Sequence, residues 1–165
     1  YSAVAEQCRR LDALGIDYQI VPGVPAFAAA AAALGRELTV PGVAQTVTLT
    51  RVATLSTAMP AGEDLVTLSK SGATLVIHLA AHHIDAIVPQ LVAGGYRPDT
   101  PVAVVAFASW PTEMVLRGTL ADIAGQVHDA SITRTAVILV GDVLAAEGFT
   151  DSYLYSSGRT RRGRH

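Results

Sequence analysis

Ala73-Thr74-Leu75-Val76-Ile77-His78-Leu79 and, further along, Pro101-Val102-Ala103-Val104-Val105-Ala106-Phe107 are runs with almost no polar interruption. A strand with one wet face alternates apolar and polar residues, whereas a strand apolar at consecutive positions is buried on both faces. Between the two runs, Ile84 to Val92 carries a helical pattern in spite of Pro89 and is closed by Gly94-Gly95. Ala136 to Val143 repeats the continuous apolar strand. Strands of this kind alternating with helices predict an α/β fold with a sheet covered on both faces.

Outward from this centre the signals weaken but keep the same alternation. Gln45 to Arg51 sets Thr46, Thr48 and Thr50 against Val47 and Leu49, as a half-buried strand does. Ala53 to Ala61 reads as a surface loop, and Glu63 to Ser69 as a short helix ended near Gly72. Glu113 to Gly118 is predicted as an antiparallel hairpin partner, and Thr119 to His128 as a helix capped by Thr119. Upstream, Tyr1 to Leu14 is predicted as a helix with Gly15 beyond its end, followed by a strand at Asp17 to Val21 rich in Ile, Val and Tyr. Pro22-Gly23-Val24-Pro25 forces a turn, and the alanine-rich Ala26 to Leu34 is predicted as a closely packing helix stopped by Gly35. Leu38 to Ala44 reads as a linker. From Gly158 onward, Arg159, Arg161, Arg162 and Arg164 stand among Gly, Ser and Thr in what is predicted to be a frayed tail.

Composition narrows the class. The 165 residues are half hydrophobic, 16% charged and carry a net charge of -2, which excludes a disordered chain and gives no electrostatic case for nucleic acid. No apolar run is long enough to span a bilayer, because Gly35, Arg36 and Glu37 end the Ala26 to Leu34 stretch early. The single Cys8 excludes an internal disulfide framework and fits a reducing compartment, so a cytoplasmic location is expected. The chain opens on Tyr1 with helical spacing at Val4, Cys8, Leu11 and Leu14, and on that ground is expected to be a fragment.

Chemical motifs are sparse. His78, His82 and His83 straddle a strand end and a helix start with only Asp85 near, which is no spaced ligand set, so no metal site is expected. Cys8 falls on the apolar side of the first helix, where it is expected to pack in the core, and has no assignable base; Ser56, Ser71 and Ser109 lack a Gly-x-Ser-x-Gly elbow. What remains is a set of turns at strand ends: Pro22 to Ala26, Leu79-Ala80-Ala81, Ala108-Ser109-Trp110-Pro111 and Arg117 to Leu120. Ligands of open α/β sheets collect at such ends, where small side chains admit a flat ring or an adenosyl group.

Several stretches together resemble the tetrapyrrole methylases, and within them the enzymes acting on precorrin-4. They are Val21-Pro22-Gly23-Val24-Pro25-Ala26-Phe27, Leu34-Gly35-Arg36-Glu37-Leu38-Thr39, Thr48-Leu49-Thr50-Arg51, Ala106-Phe107-Ala108-Ser109-Trp110-Pro111, Arg117-Gly118-Thr119-Leu120-Ala121-Asp122-Ile123 and Ile132-Thr133-Arg134-Thr135-Ala136. Phe149 to Tyr155 continues the likeness. The resemblance implies two α/β domains with S-adenosyl-L-methionine in the cleft between them. Residues 1–38 would then be the C-terminal part of the first domain and residues 39–149 a second domain with a mixed sheet, followed by a tail at 150–165. It implies methyl transfer to C-11 of precorrin-4 in corrin-ring biosynthesis, by a homodimeric enzyme with no nucleic-acid or membrane partner. The family's Gly-Pro-Gly turn and its Gly-Asp-Pro turn are absent, and an incomplete, inactive fragment is the expected consequence.

Carried over position by position, the implied cofactor-lining residues are Tyr1, Pro25, Ala26, Leu79, Ala108 and Ala136, with His78 as pocket lining. No catalytic side chain is implied, because the sulfonium already carries the reactive methyl. A substrate bearing many carboxylates wants arginines, and Arg51 and Arg117 are the candidates. The stretch after Arg51, Thr54-Leu55-Ser56-Thr57, departs from the family's usual Gly-Arg-Thr-Pro. Two alternatives stand beside this reading: a non-catalytic, dimerising α/β module, and a related methylase acting on another tetrapyrrole. RNA is the least suited substrate, given the charge and the Ala-Ser-Trp-Pro match.

Overall fold

The structure, a computed structural model, describes residues 3–53 and 57–149. Five strands form one sheet: β1 (Val47–Arg51), β2 (Thr74–His78), β3 (Pro101–Ala106), β4 (Met114–Thr119) and β5 (Ala136–Val140), in the spatial order β1-β2-β5-β3-β4. β1 and β2 pair in parallel, and every other neighbouring pair is antiparallel. The sheet is therefore mixed. β5, last in the chain, inserts between β2 and β3, so the most apolar strand has partners on both sides.

The period of two explains why three strands read as unbroken apolar runs. Leu75 and Ile77, Val102 and Val104, and Ile138 and Val140 point to one face, where they meet Leu65, Ile84, Ile87, Leu91, Ile123 and Val127. These last come from helices α3 (Leu65–Ser69), α4 (Ile84–Ala93) and α5 (Ile123–Asp129). Val76, Ala103, Val105, Val137 and Leu139 point to the other face, covered by Ala30 and Leu34 of α2 (Ala26–Leu34). Ala30 is fully buried, and the alanine composition of α2 permits its close approach to β5. Both elements the sequence assigns to the first unit that bury here, α2 and Leu38, do so against this sheet. The Leu38 carbonyl accepts a hydrogen bond from the buried Thr74 hydroxyl at 2.9 Å.

Helix ends follow local chemistry. α3 is capped by Asp64, whose carboxylate accepts from the Thr67 backbone N–H at 2.9 Å. α2 ends on Gly35 at φ 62°, the left-handed conformation glycine adopts freely. α1 (Val4–Ala13) closes with paired bonds from Gly15 N–H to the Asp12 carbonyl and Ile16 N–H to the Leu11 carbonyl.

Three expectations need correction. Asp17 to Val21 has strand composition but forms no strand, since no described segment lies beside it to accept its ladder bonds; Ile20 and Val21 are exposed. Cys8 is half-buried and α1 buries none of its residues, so the apolar side of that helix meets no core among the described residues. Thr119 is the last residue of β4 and caps no helix: Asp122 turns back on it, accepting from the Thr119 N–H at 2.6 Å, and α5 starts only at Ile123. The expected arginine tail lies outside the described residues.

Candidate functional site

The C-terminal ends of β1, β2 and β3 and the N-terminal end of β5 share one edge of the sheet. A cavity of about 600 Å³ opens there, within the range that holds nucleoside-sized ligands. Its floor is made by the strand ends His78, Val105, Ala136 and Val137, and its walls by the turns that follow or precede them and by the start of α2. Small side chains from separate elements, Ala26, Ala29, Ala80, Ala108 and Ala136, leave the space free.

The turns at this edge are strained in one consistent way. Leu79 (φ 57°), Phe107 (53°), Ser109 (70°) and Thr135 (54°) all adopt the left-handed conformation without being glycine. Each such residue costs about 1–2 kcal/mol and persists only where the surroundings hold it. The fastenings are visible. Phe107 N–H donates to the Thr135 carbonyl at 2.8 Å, Trp110 N–H to the Phe107 carbonyl at 2.9 Å, and Ser109 N–H to Glu113 Oε2 at 2.7 Å. Leu79 is 72% exposed and packs against little, so Leu79→Gly is expected to raise stability by roughly 0.5 kcal/mol once the added chain entropy of glycine is set against the relieved strain. The same change removes a cavity wall and should weaken ligand binding. Urea unfolding checks the first effect, and a stability loss above about 1 kcal/mol would contradict the strain argument.

His78 lies at the cavity floor, half-buried, with its Nε2 atom buried and without a hydrogen-bond partner among the described residues. Burial pushes its pKa below the usual histidine value, so the ring is neutral at physiological pH. The His82 and His83 rings lie against one another in a tilted arrangement, with centroids 3.9 Å apart and an interplanar angle of 42°. No group of three or more potential metal ligands gathers among the described residues.

The cavity gathers Ala26, Leu79, Ala108 and Ala136 from the expected cofactor set, together with His78. Pro25 is not among its lining residues, although its neighbours Val24 and Ala26 are. Tyr1 lies outside the described residues. The two arginines expected at the substrate do not line it, for a physical reason. The Arg51 guanidinium donates to the carbonyls of Val52, Thr57 and Ala58 and pins its own loop. Arg117 donates to the Leu34 carbonyl at the C-terminus of α2, in a separate cleft that also holds Arg36. Among the described residues, the arginine that does line the cavity is Arg134, on the turn before β5. It stands inside the stretch Ile132-Thr133-Arg134-Thr135-Ala136, but only the fold places that turn at the cavity.

Comparison with known proteins fits this geometry. The profile of the tetrapyrrole (corrin/porphyrin) methylases matches residues 1–124. A precorrin-4 C(11)-methyltransferase of Mycobacterium tuberculosis is 79% identical over 162 residues, 98% of this chain and 64% of that protein. The chain thus spans about 64% of the length of the curated relatives it matches first. Among solved structures, a cobalamin biosynthetic enzyme, cobalt precorrin-4 methyltransferase, superposes with a TM-score of 0.83 at 38% identity, over 87% of this chain and 60% of that one. A uroporphyrin-III C-methyltransferase from Thermus thermophilus, complexed with S-adenosyl homocysteine, shares the fold with a TM-score of 0.69 at 23% identity, over 88% of this chain and 62% of that one. With its mixed α/β sheet, its cavity at the strand ends and the match over residues 1–124, the chain belongs to the tetrapyrrole (corrin/porphyrin) methylase family.

Proposed function

We propose that this chain is part of an S-adenosylmethionine-dependent C-methyltransferase acting on C-11 of precorrin-4 in corrin-ring biosynthesis. The observation that carries the reading is the cavity at the sheet edge, where Ala26, Leu79, Ala108 and Ala136 converge from the start of α2, two turns and a strand. The 79% identity to a protein named for this reaction supports the choice of substrate. The reading keeps residues 1–38 as the end of one α/β unit and 39–149 as a second, with α2 as the element that docks one onto the other.

Bound S-adenosylmethionine supplies a methyl group already activated on a sulfonium, for an electron-rich ring carbon to take up. What the chain's own residues contribute is space, orientation and exclusion of water. Ala108 and Ala136 leave room against the floor, Leu79 walls the cavity, and the fastened turn Phe107 to Glu113 holds its shape before any ligand arrives. Alignment of this kind can supply most of a methyl-transfer acceleration without a proton-transferring side chain. His78, kept neutral by burial, puts no second positive charge beside a sulfonium.

Isothermal titration of S-adenosylhomocysteine into the chain, beside a longer chain covering the relatives' full length, tests the reading. Binding to both, tighter to the longer, with methyl transfer by the longer alone, is the expected result. Binding to neither would remove the methyltransferase assignment. The proposal includes a homodimer in the cytoplasm. It is supported by the uncovered apolar run Ile20, Val21 and Val24, and light scattering of the same samples checks the association.

A further inference from the structure

We propose that Arg134 and Trp110 recognise the tetrapyrrole, the guanidinium anchoring a peripheral carboxylate and the indole lying against the flat of the ring. This rests on the reading of the cavity as the methyl-transfer site and names the residues through which that site selects its substrate.

Charge is the first support. Among the described residues, the cavity lining includes the cation Arg134 and no carboxylate, so the cavity favours an anionic ligand. The nearby acid, Glu113, is engaged by the Ser109 N–H at 2.7 Å. Arg134 is exposed and makes no hydrogen bond or ion pair among the described residues, whereas Arg36, Arg51 and Arg117 all donate to carbonyl groups. Its fork of donors is therefore available to a carboxylate, which such a fork grips in two places. It is also well placed to be steady, on a short turn between Ser131 and Thr135, both held at positive φ.

Trp110 supplies the second half. The indole is 60% exposed at the cavity, an unusual state for the largest apolar side chain. It is not loose: the Phe107 ring supports it at a centroid distance of 5.8 Å, and its backbone N–H is bonded to the Phe107 carbonyl. An aromatic face held in place and left uncovered beside a cationic cavity suits a ligand that is flat, conjugated and polycarboxylated. A nucleoside alone, which carries no carboxylate, would use the aromatic face and leave the guanidinium without a partner.

Trp110 is the sole tryptophan of the chain, so all tryptophan emission originates at this site. Uroporphyrin III, a stable tetrapyrrole with eight carboxylates, is titrated into the chain while tryptophan fluorescence is read. Saturable quenching is expected, with the dissociation constant raised at least tenfold in Arg134→Met and partly restored in Arg134→Lys. Circular dichroism confirms that both variants fold. An unchanged affinity in Arg134→Met overturns the proposal, as does binding that leaves Trp110 emission untouched or no porphyrin binding at all. Quenching by S-adenosylhomocysteine and not by the porphyrin would assign the indole to the nucleoside and also overturn it. A chain that binds the porphyrin through Arg134 but never S-adenosylhomocysteine sustains the recognition pair and counts against the methyl-transfer reading.

Discussion

Gly94→Ala is expected to cost about 3 kcal/mol of stability, the upper end of what overpacking a well-filled interior costs. A Cβ at this position would stand 2.4 Å from the Ser69 Cβ and 2.5 Å from the Val66 carbonyl oxygen. Ser69 is buried and Val66 offers a backbone atom, so no rotamer change clears the space; α3 and α4 must move apart. That movement would open the packing of Leu65 against Ile87 and Leu91 on the sheet. Thermal unfolding should show a midpoint lowered by roughly 6–12 °C, taking 2–4 °C per kcal/mol for a domain of this size. The neighbouring Gly95 makes the comparison informative. It has φ 119° and nothing within 4 Å of a Cβ, so Gly95→Ala acts through conformation alone and should cost about 1–2 kcal/mol. Equal effects from the two would mean that the close contact of α3 with α4 is not what holds that corner.

The Gly94-Gly95 pair shows how far the sequence could be read. That a helix ends there is written in the dipeptide; that the first glycine is needed for the approach of another helix is not, because Ser69 and Val66 are remote along the chain. The same division runs through the fold. β2, β3 and β5 were legible because burial on both faces leaves few positions for a polar residue, Thr74 being one that finds a partner in the Leu38 carbonyl. Their order was not, since the insertion of β5 between β2 and β3 is decided by pairing across the whole chain. Asp17 to Val21 failed for the complementary reason: its residues suit a strand, but a strand exists only with a partner. Thr119 failed because it is the last residue of β4 and its own N–H is held by the Asp122 carboxylate, three residues on, so the helix starts only at Ile123.

At the site, the resemblance located the turns that form the cavity, and four of the six expected cofactor residues line it. It did not single out Arg134, the arginine that lines the cavity. Arg51 and Arg117 have the right chemistry and spend it on backbone carbonyls, while Arg134 has no distinguishing neighbours in sequence and is singled out only by where its turn lies. The four left-handed turn residues were equally hidden, since Leu, Phe, Ser and Thr give no sign of positive φ, as Gly or Asn would.

Ala108→Leu is expected to weaken S-adenosylhomocysteine binding at least a hundredfold, about 2.7 kcal/mol, while leaving the fold nearly intact. Ala108 is half-buried on the fastened turn, beside the core positions Val105 and Val137 and facing the cavity. A leucine there would project its extra carbons into the space the ligand needs, where no protein atom is displaced, so the overpacking cost that Gly94→Ala meets does not arise. The pair of measurements, titration calorimetry for affinity and thermal unfolding for stability, therefore separates obstruction from misfolding. A variant that unfolds early would mean that Ala108 is packed against protein and not against the cavity. A variant with unaltered stability and unaltered affinity would mean that the cofactor binds elsewhere, and the convergence of Ala26, Leu79, Ala108 and Ala136 would lose its functional meaning. The expected outcome, intact folding with lost binding, ties the strained turns at the sheet edge to the ligand they are shaped to hold.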